Sequence, residues 1–216
     1  MIKKFKKVKS LVFDLDGTLY PESPEINQRI SERFAQKILD KKIGLRTLEE
    51  AIIYSQKSYN KTSSRSQILR ELGFENVDEV MIECLSNTID LIKEDREVVS
   101  LLDDLNKRYE LSLLTASPES LSLPKLEKIG INPSIFDRKL YGSSIPRCKK
   151  TDGSIFRFFL ELSSYSPNEH VYIGDLLSAD IIPPKSLGMK TIIVGSKSLE
   201  ADYSIKKIYD LRKVFL

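Results

Sequence analysis

The chain has 216 residues, 41% of them hydrophobic, which is enough to bury a substantial core and too much for a disordered chain. Lys and Arg total 34 against 31 Asp and Glu, a near balance that gives no general electrostatic case for nucleic acid or an anionic membrane as partner. One histidine, His170, and two cysteines, Cys84 and Cys148, rule out a His-rich zinc site and a disulfide framework, and the cysteines read as packing residues in a reducing, cytoplasmic setting.

In chain order, five lysines among the first nine residues precede the apolar run Leu11-Val12-Phe13. Asp14 and Asp16 interrupt that run at once, so it does not read as a signal peptide, and no later stretch has the length of a membrane span. Leu11 to Leu15 reads as a short buried strand that ends in a turn at Gly17. The pattern then becomes helical, with Ile26, Ile30, Phe34 and Ile38 spaced by fours along one face, and Thr47 to Tyr59, Ser66 to Leu72 and Val77 to Ile92 continue it.

Strands and helices alternate afterwards. Arg96 to Arg108 reads as a helix, Leu111 to Leu114 as a strand, and Ser122 to Ile129 as a helix stopped by Gly130. Ser154 to Leu162 reads as a helix, Val171 to Ile173 as a strand with His170 at its edge, Asp180 to Leu187 as a helix, and Thr191 to Val194 as a strand. The expected fold is therefore α/β, a Rossmann-like parallel sheet with helices on both faces in residues 1–20 and 96–216, plus a small all-helical cap domain in residues 21–95. Ligands of open α/β sheets bind outside the carboxyl ends of the strands, and a domain inserted there would cover the site. Tyr54, Lys57, Tyr59, Lys61 and Arg65 are candidate substrate-reading residues of that cap.

Asp14 and Asp16 flank Leu15, so in an extended strand both carboxylates point to one side. Two acids so placed repel each other unless a cation or proton intervenes, and hard oxygen ligands without His or Cys favour Mg2+ at Asp14 and Asp16. Gly17 lets backbone amides approach an anion closely. Two further strands also end in polar chemistry, one at Thr115 followed by Ala116, the other at Gly174-Asp175. Asp180 follows at the start of a predicted helix, as its cap or as a group supporting the ligands from behind, and Lys149 and Lys150 lie between these segments.

The segment Phe13-Asp14-Leu15-Asp16-Gly17-Thr18-Leu19-Tyr20 resembles the first signature of the haloacid dehalogenase-like hydrolases. Leu114-Thr115 is similar to the second signature, Lys150 to Phe156 to the third, and Gly174-Asp175 through Asp180 to the fourth, in the family's order. The resemblance implies a phosphatase in which Asp14 attacks phosphorus and Asp16 is general acid and base. It also implies that Thr115 and Lys150 bind the phosphoryl group and that Asp175 helps hold Mg2+. The substrate would be a small phosphorylated metabolite.

The chain departs from the family pattern at Ala116, where many relatives carry Asn, which leaves only a backbone amide there. The third signature reads Lys150-Thr151-Asp152-Gly153 in place of the frequent Lys-Pro-Asp-Pro; Lys150 has the family's spacing to Phe156, and Lys149 is a possible substitute. Dehalogenase chemistry is disfavoured because Asp16 is present. A phosphosugar mutase shares the four signatures and stays open as an alternative, as does a catalytically silent binding protein on the same scaffold, although the retained acids argue against the latter.

Overall fold

The computed structural model describes residues 3–62, 65–142 and 148–216. Strands β1 (Ser10–Phe13), β2 (Glu110–Thr115), β3 (Arg138–Tyr141), β4 (His170–Gly174), β5 (Lys190–Val194) and β6 (Tyr203–Ile205) form one six-stranded sheet in the order β3-β2-β1-β4-β5-β6. All neighbouring pairs are parallel. The order runs outward from β1 in both directions, so right-handed crossovers place helices on opposite faces of the sheet, as the α/β reading expects. Every residue of β1 and β4 is buried, the continuous burial expected of central parallel strands. The edge strands β3 and β6 are short and partly exposed, and Arg138, Lys139 and Tyr203 dilute the apolar signal that would have marked them in the sequence.

The helices are α1 (Pro24–Asp40), α2 (Leu48–Thr62), α3 (Arg65–Glu71), α4 (Val77–Ser86), α5 (Arg96–Asn106), α6 (Glu119–Ile129), α7 (Ser154–Glu161), α8 (Ile182–Ser186) and α9 (Leu211–Phe215). They fall into two compact units: Glu22–Ile92, which holds α1 to α4, and the sheet-bearing unit made of the chain up to Pro21 and from Lys93 onward. In the helical unit the predicted row Ile26, Ile30, Phe34 and Ile38 is buried. Phe34 and Ile38 join Ile68, Leu69, Val77 and Cys84 in a core that belongs to this unit alone. Local chemistry sets the start of α1, where the Ser23 hydroxyl accepts from the Ile26 amide ahead of a proline that needs no such partner. Tyr54, a candidate substrate-reading residue, is partly buried against this core, and Arg65 stacks over the Tyr59 ring at 5.1 Å. None of the described helices is long and apolar enough to cross a membrane.

In the sheet-bearing unit, Val12, Leu114, Leu140, Ile155, Phe156, Phe159, Tyr172 and Met189 form a buried cluster, with the partly buried Cys148 packed against it. Both cysteines are free thiols. Phe156 meets Tyr172 edge to face at 4.8 Å, and the Tyr172 hydroxyl donates to the Leu114 carbonyl, fixing β4 to β2 across β1. Phe13 pairs with Leu113 and Ile173, so Asp14, Thr115 and Asp175 all emerge at the same carboxyl edge of the sheet.

His170, expected at a strand edge, is the first residue of β4 and is fully buried, with Ser163 Oγ 2.9 Å from its Nε2 and Phe159 edge-on to its ring. Burial pushes its pKa down from 6.5 to about 4, so the folded imidazole stays neutral where the unfolded one takes a proton. Its contribution to stability is whole above the unfolded value and is lost as pH falls through this window toward the folded value. We therefore expect His170→Gln to flatten the fall in urea-unfolding free energy between pH 6.5 and pH 4, and a slope equal to that of the native protein would show that His170 is not the titrating group.

Candidate active site

The turn after β1 decides the geometry. Strand pairing stops at Phe13, although the Asp14 amide still donates to the Ile173 carbonyl at 2.9 Å, and Gly17 then takes the left-handed conformation with φ 75°. The Thr18 and Leu19 amides both bond back to the Leu15 carbonyl and close the turn. A Cβ on Gly17 would lie 2.4 Å from Asp175 Oδ2, so only glycine lets this turn lie against the acid at the end of β4. Gly174 meets the same constraint from the other side, because a Cβ there would lie 2.4 Å from Asp180 Cβ.

Three carboxylates gather at this point. Asp14, Asp175 and Asp180 each present an oxygen within 4.8 Å of the others. Lys150 Nζ sits among them, 2.5 Å from Asp14 Oδ1 and 2.8 Å from Asp180 Oδ1, with the Tyr172 ring 5.5 Å away on one side. Burial pushes the Asp14 carboxyl well above the usual carboxylate range, and the charges of Asp180 and Asp16 add to that rise against the pull of Lys150. Burial also works against the Lys150 ammonium, but Asp14 and Asp180 outweigh it and raise its pKa. Asp14, Asp175 and Asp180 bring carboxylate oxygens together in a largely buried pocket, a donor set of hard oxygens that suits a divalent cation.

Asp16 takes no part in that cluster, contrary to the expectation that its side chain would share a cation with Asp14. β1 ends at Phe13, so the strict strand alternation that predicts a shared side stops before both acids. The Asp16 carboxylate turns instead to Lys125 of α6, whose Nζ lies 2.5 Å from Oδ1. Tyr20 OH donates to the same oxygen at 2.5 Å, and Ser117 Oγ donates to Oδ2 at 2.6 Å. Burial would raise the Asp16 pKa, but Lys125 and the two hydroxyl bonds outweigh it and hold it below the usual range. Of the two roles expected for Asp180, helix cap or support behind the ligands, the first is not taken. Asp180 lies fully buried in a π-helical turn over Leu177–Ile181, its Oδ2 accepting from the Leu176 amide while Oδ1 faces Lys150.

The remaining predicted residues separate by exposure. Lys150 is buried in the site, whereas Lys149 is exposed and its amide donates to Ser154 Oγ at the start of α7. Thr115 is fully buried, its Oγ1 accepting from the Ser117 amide, and Ala116 is exposed beside it. Sequence reasoning missed Lys125, Ser117 and Tyr20. A signal for Lys125 was present: it occupies the inward row Leu121, Lys125, Ile129 of α6, where an unpaired ammonium would be costly.

A parallel sheet whose first strand delivers an Asp-x-Asp turn to a lysine and two further acids makes this an α/β protein with an acid-rich site at the carboxyl edge of its sheet. The chain belongs to the family of haloacid dehalogenase-like hydrolases, whose model matches residues 11–194. It is 24% identical over 191 residues to a phosphoglycolate phosphatase of Pseudomonas putida, covering 84% of this chain and 67% of that protein. It is 25% identical to a glyceraldehyde 3-phosphate phosphatase of Methanocaldococcus jannaschii, covering 94% of this chain and 95% of that one. Among solved structures, a phosphatase of this family from Thermococcus onnurineus superposes with a TM-score of 0.72 at 24% identity, over 96% of this chain and 97% of the other, which shows the shared fold.

The close approach at Gly17 is testable against Gly195, which also has positive φ, 80°, but has nothing within 4 Å of where a Cβ would lie. Gly195→Ala should carry only the backbone cost, about 1–2 kcal/mol. Gly17→Ala should cost clearly more in urea unfolding because Asp175 must also move, and equal losses would show that the contact is easily relieved.

Proposed function

We propose that this chain is a phosphatase that removes the phosphoryl group from a small phosphorylated metabolite by transferring it first to Asp14 and then to water. The observation that carries this reading is the buried Lys150 that grips Asp14 Oδ1 and Asp180 Oδ1. It holds one oxygen of a nucleophile still and leaves a cation at the place where a phosphate dianion must arrive. The phosphatases among its relatives support the same reaction class, a phosphoric monoester hydrolase.

Asp14, Asp175 and Asp180 would hold Mg2+, on the strength of their carboxylate oxygens, which lie within 4.8 Å of one another. Bound there, the ion would neutralise phosphate oxygens and the charge that develops on them. Lys150 and the Ala116 amide would orient the phosphoryl group, with the Gly17 turn beside them. The Thr115 hydroxyl supports the turn that presents Ala116, through its bond from the Ser117 amide. Asp16, held apart from the cluster, would give a proton to the leaving oxygen and then take one from the attacking water. The helical unit would act as the cap that reads the rest of the substrate, a role suggested by its place in the chain between Asp16 and β2. The free thiols of Cys84 and Cys148 fit a cytoplasmic enzyme.

Activity against a panel of phosphate monoesters should vanish in excess EDTA and return with Mg2+; undiminished turnover under chelation would remove the metal from the scheme. Asp14→Asn should abolish turnover. Asp16→Asn should lower kcat by about 10²- to 10⁴-fold, the usual worth of a positioned proton-transfer group. Near-native kinetics in either variant would reassign its role.

A further inference from the structure

We propose that Lys125 is a positioning residue which, with Ser117, aims the Asp16 carboxylate so that Oδ2 alone is left free to exchange a proton with the reacting groups. The inference rests on the phosphatase reading above and names a part of the machinery that the four signatures do not contain.

The argument is an inventory of lone pairs. A carboxylate offers about four acceptor positions, two on each oxygen. Asp16 Oδ1 accepts from Lys125 Nζ at 2.5 Å and from Tyr20 OH at 2.5 Å, which fills both of its positions. Oδ2 accepts from Ser117 Oγ at 2.6 Å, which leaves one. Lys125 also reaches Ser117 Oγ, at 3.3 Å, so lysine, serine and carboxylate close a triangle. Ser117 is anchored in turn, its amide bonded to Thr115 Oγ1 and its carbonyl approached by Ser122 Oγ. Among the described residues the remaining acceptor direction is on Oδ2, and that is where a carboxyl proton can reside. The Asp16 side chain keeps 24% of its surface exposed, so it is not sealed off by its partners.

Packing does not explain Lys125. Its side chain is only 3% exposed and lies in a row of α6 otherwise filled by Leu121 and Ile129. A methionine would fill the same row without burying an ammonium, whose desolvation costs several kcal/mol unless a close partner offsets it. The partner is Asp16, 109 residues away in sequence, and it is the residue assigned the proton transfers.

In the first step a bond forms from an Asp14 oxygen to phosphorus while the bond from phosphorus to the leaving oxygen breaks, and the Asp16 proton passes to that oxygen to release an alcohol. In the second step a water gives a proton to Asp16 as its oxygen bonds to phosphorus, and the electrons of the bond to Asp14 return to that carboxylate. Phosphate leaves, and both aspartates are restored.

The test is dependence on the leaving group. The ratio kcat/KM reports the steps up to phosphoryl transfer to Asp14, and an alkyl ester such as 2-phosphoglycolate needs its leaving oxygen protonated far more than acetyl phosphate does. Lys125→Met should lower kcat/KM at least about tenfold more for 2-phosphoglycolate, or whichever alkyl phosphate turns over best, than for acetyl phosphate. In an Asp16→Asn background it should add no selective loss. Equal losses on both substrates, or a folded variant with native kinetics, would overturn the proposal while leaving the phosphatase reading intact. If Lys125→Met fails to fold, Ser117→Ala must show the same bias toward the alkyl ester, and its absence there overturns the proposal equally. Failure of the native protein to hydrolyse any phosphate ester would instead overturn the phosphatase reading and this inference with it.

Discussion

Lys150 is the group on which the arrangement of the site depends. An ammonium that is 7% exposed on its side chain cannot remain charged without close partners, and it has two, Asp14 and Asp180. Removing one partner of a buried pair usually costs about 3–5 kcal/mol, because the other is left as an uncompensated charge. The triad therefore ties together the end of β1, the segment before α7 and the π-helical turn after β4. Glycine at 174 is a consequence: Asp180 lies so near the backbone there that no side chain would fit.

A second ammonium, Lys125, does a different job on Asp16. The two aspartates are separated by one residue, yet each is held by its own lysine from a different part of the chain. Their environments diverge accordingly, with the Asp14 carboxyl pushed up by burial among like charges and the Asp16 carboxyl held down by Lys125 and two hydroxyls. Both acids lie beyond the last residue of β1, so strand alternation does not tie their side chains to one side.

Much of the fold was legible before the structure. The central strands are uninterrupted apolar runs, and the row Ile26, Ile30, Phe34, Ile38 repeats with the period of a helix, so local patterning states their geometry directly. The edge strands were not legible. Arg138-Lys139-Leu140-Tyr141 and Tyr203-Ser204-Ile205 become strands because an existing sheet offers them hydrogen bonds, and nothing in their composition demands it. The pattern predicts a helix from Asp180 to Leu187 with Asp180 as its cap or as support for the ligands; the α-helix starts instead at Ile182, and Asp180 is drawn inward by Lys150 and the Leu176 amide.

The sequence by itself determined which strand ends carry the acids and in what order, since an Asp-x-Asp-Gly turn after an apolar run and a Gly-Asp after another are local features that any fold must place at strand termini. It also favoured Lys150 over Lys149 by spacing. Only the tertiary structure decided how the acids are shared: Asp180 joins Asp14 and Asp175, and Asp16 goes to Lys125, Ser117 and Tyr20. The reason is physical. Which carboxylate a lysine grips depends on distances between segments more than a hundred residues apart, Lys150 to Asp14 and Lys125 to Asp16, and those distances exist only once the sheet has brought its strand ends to one edge.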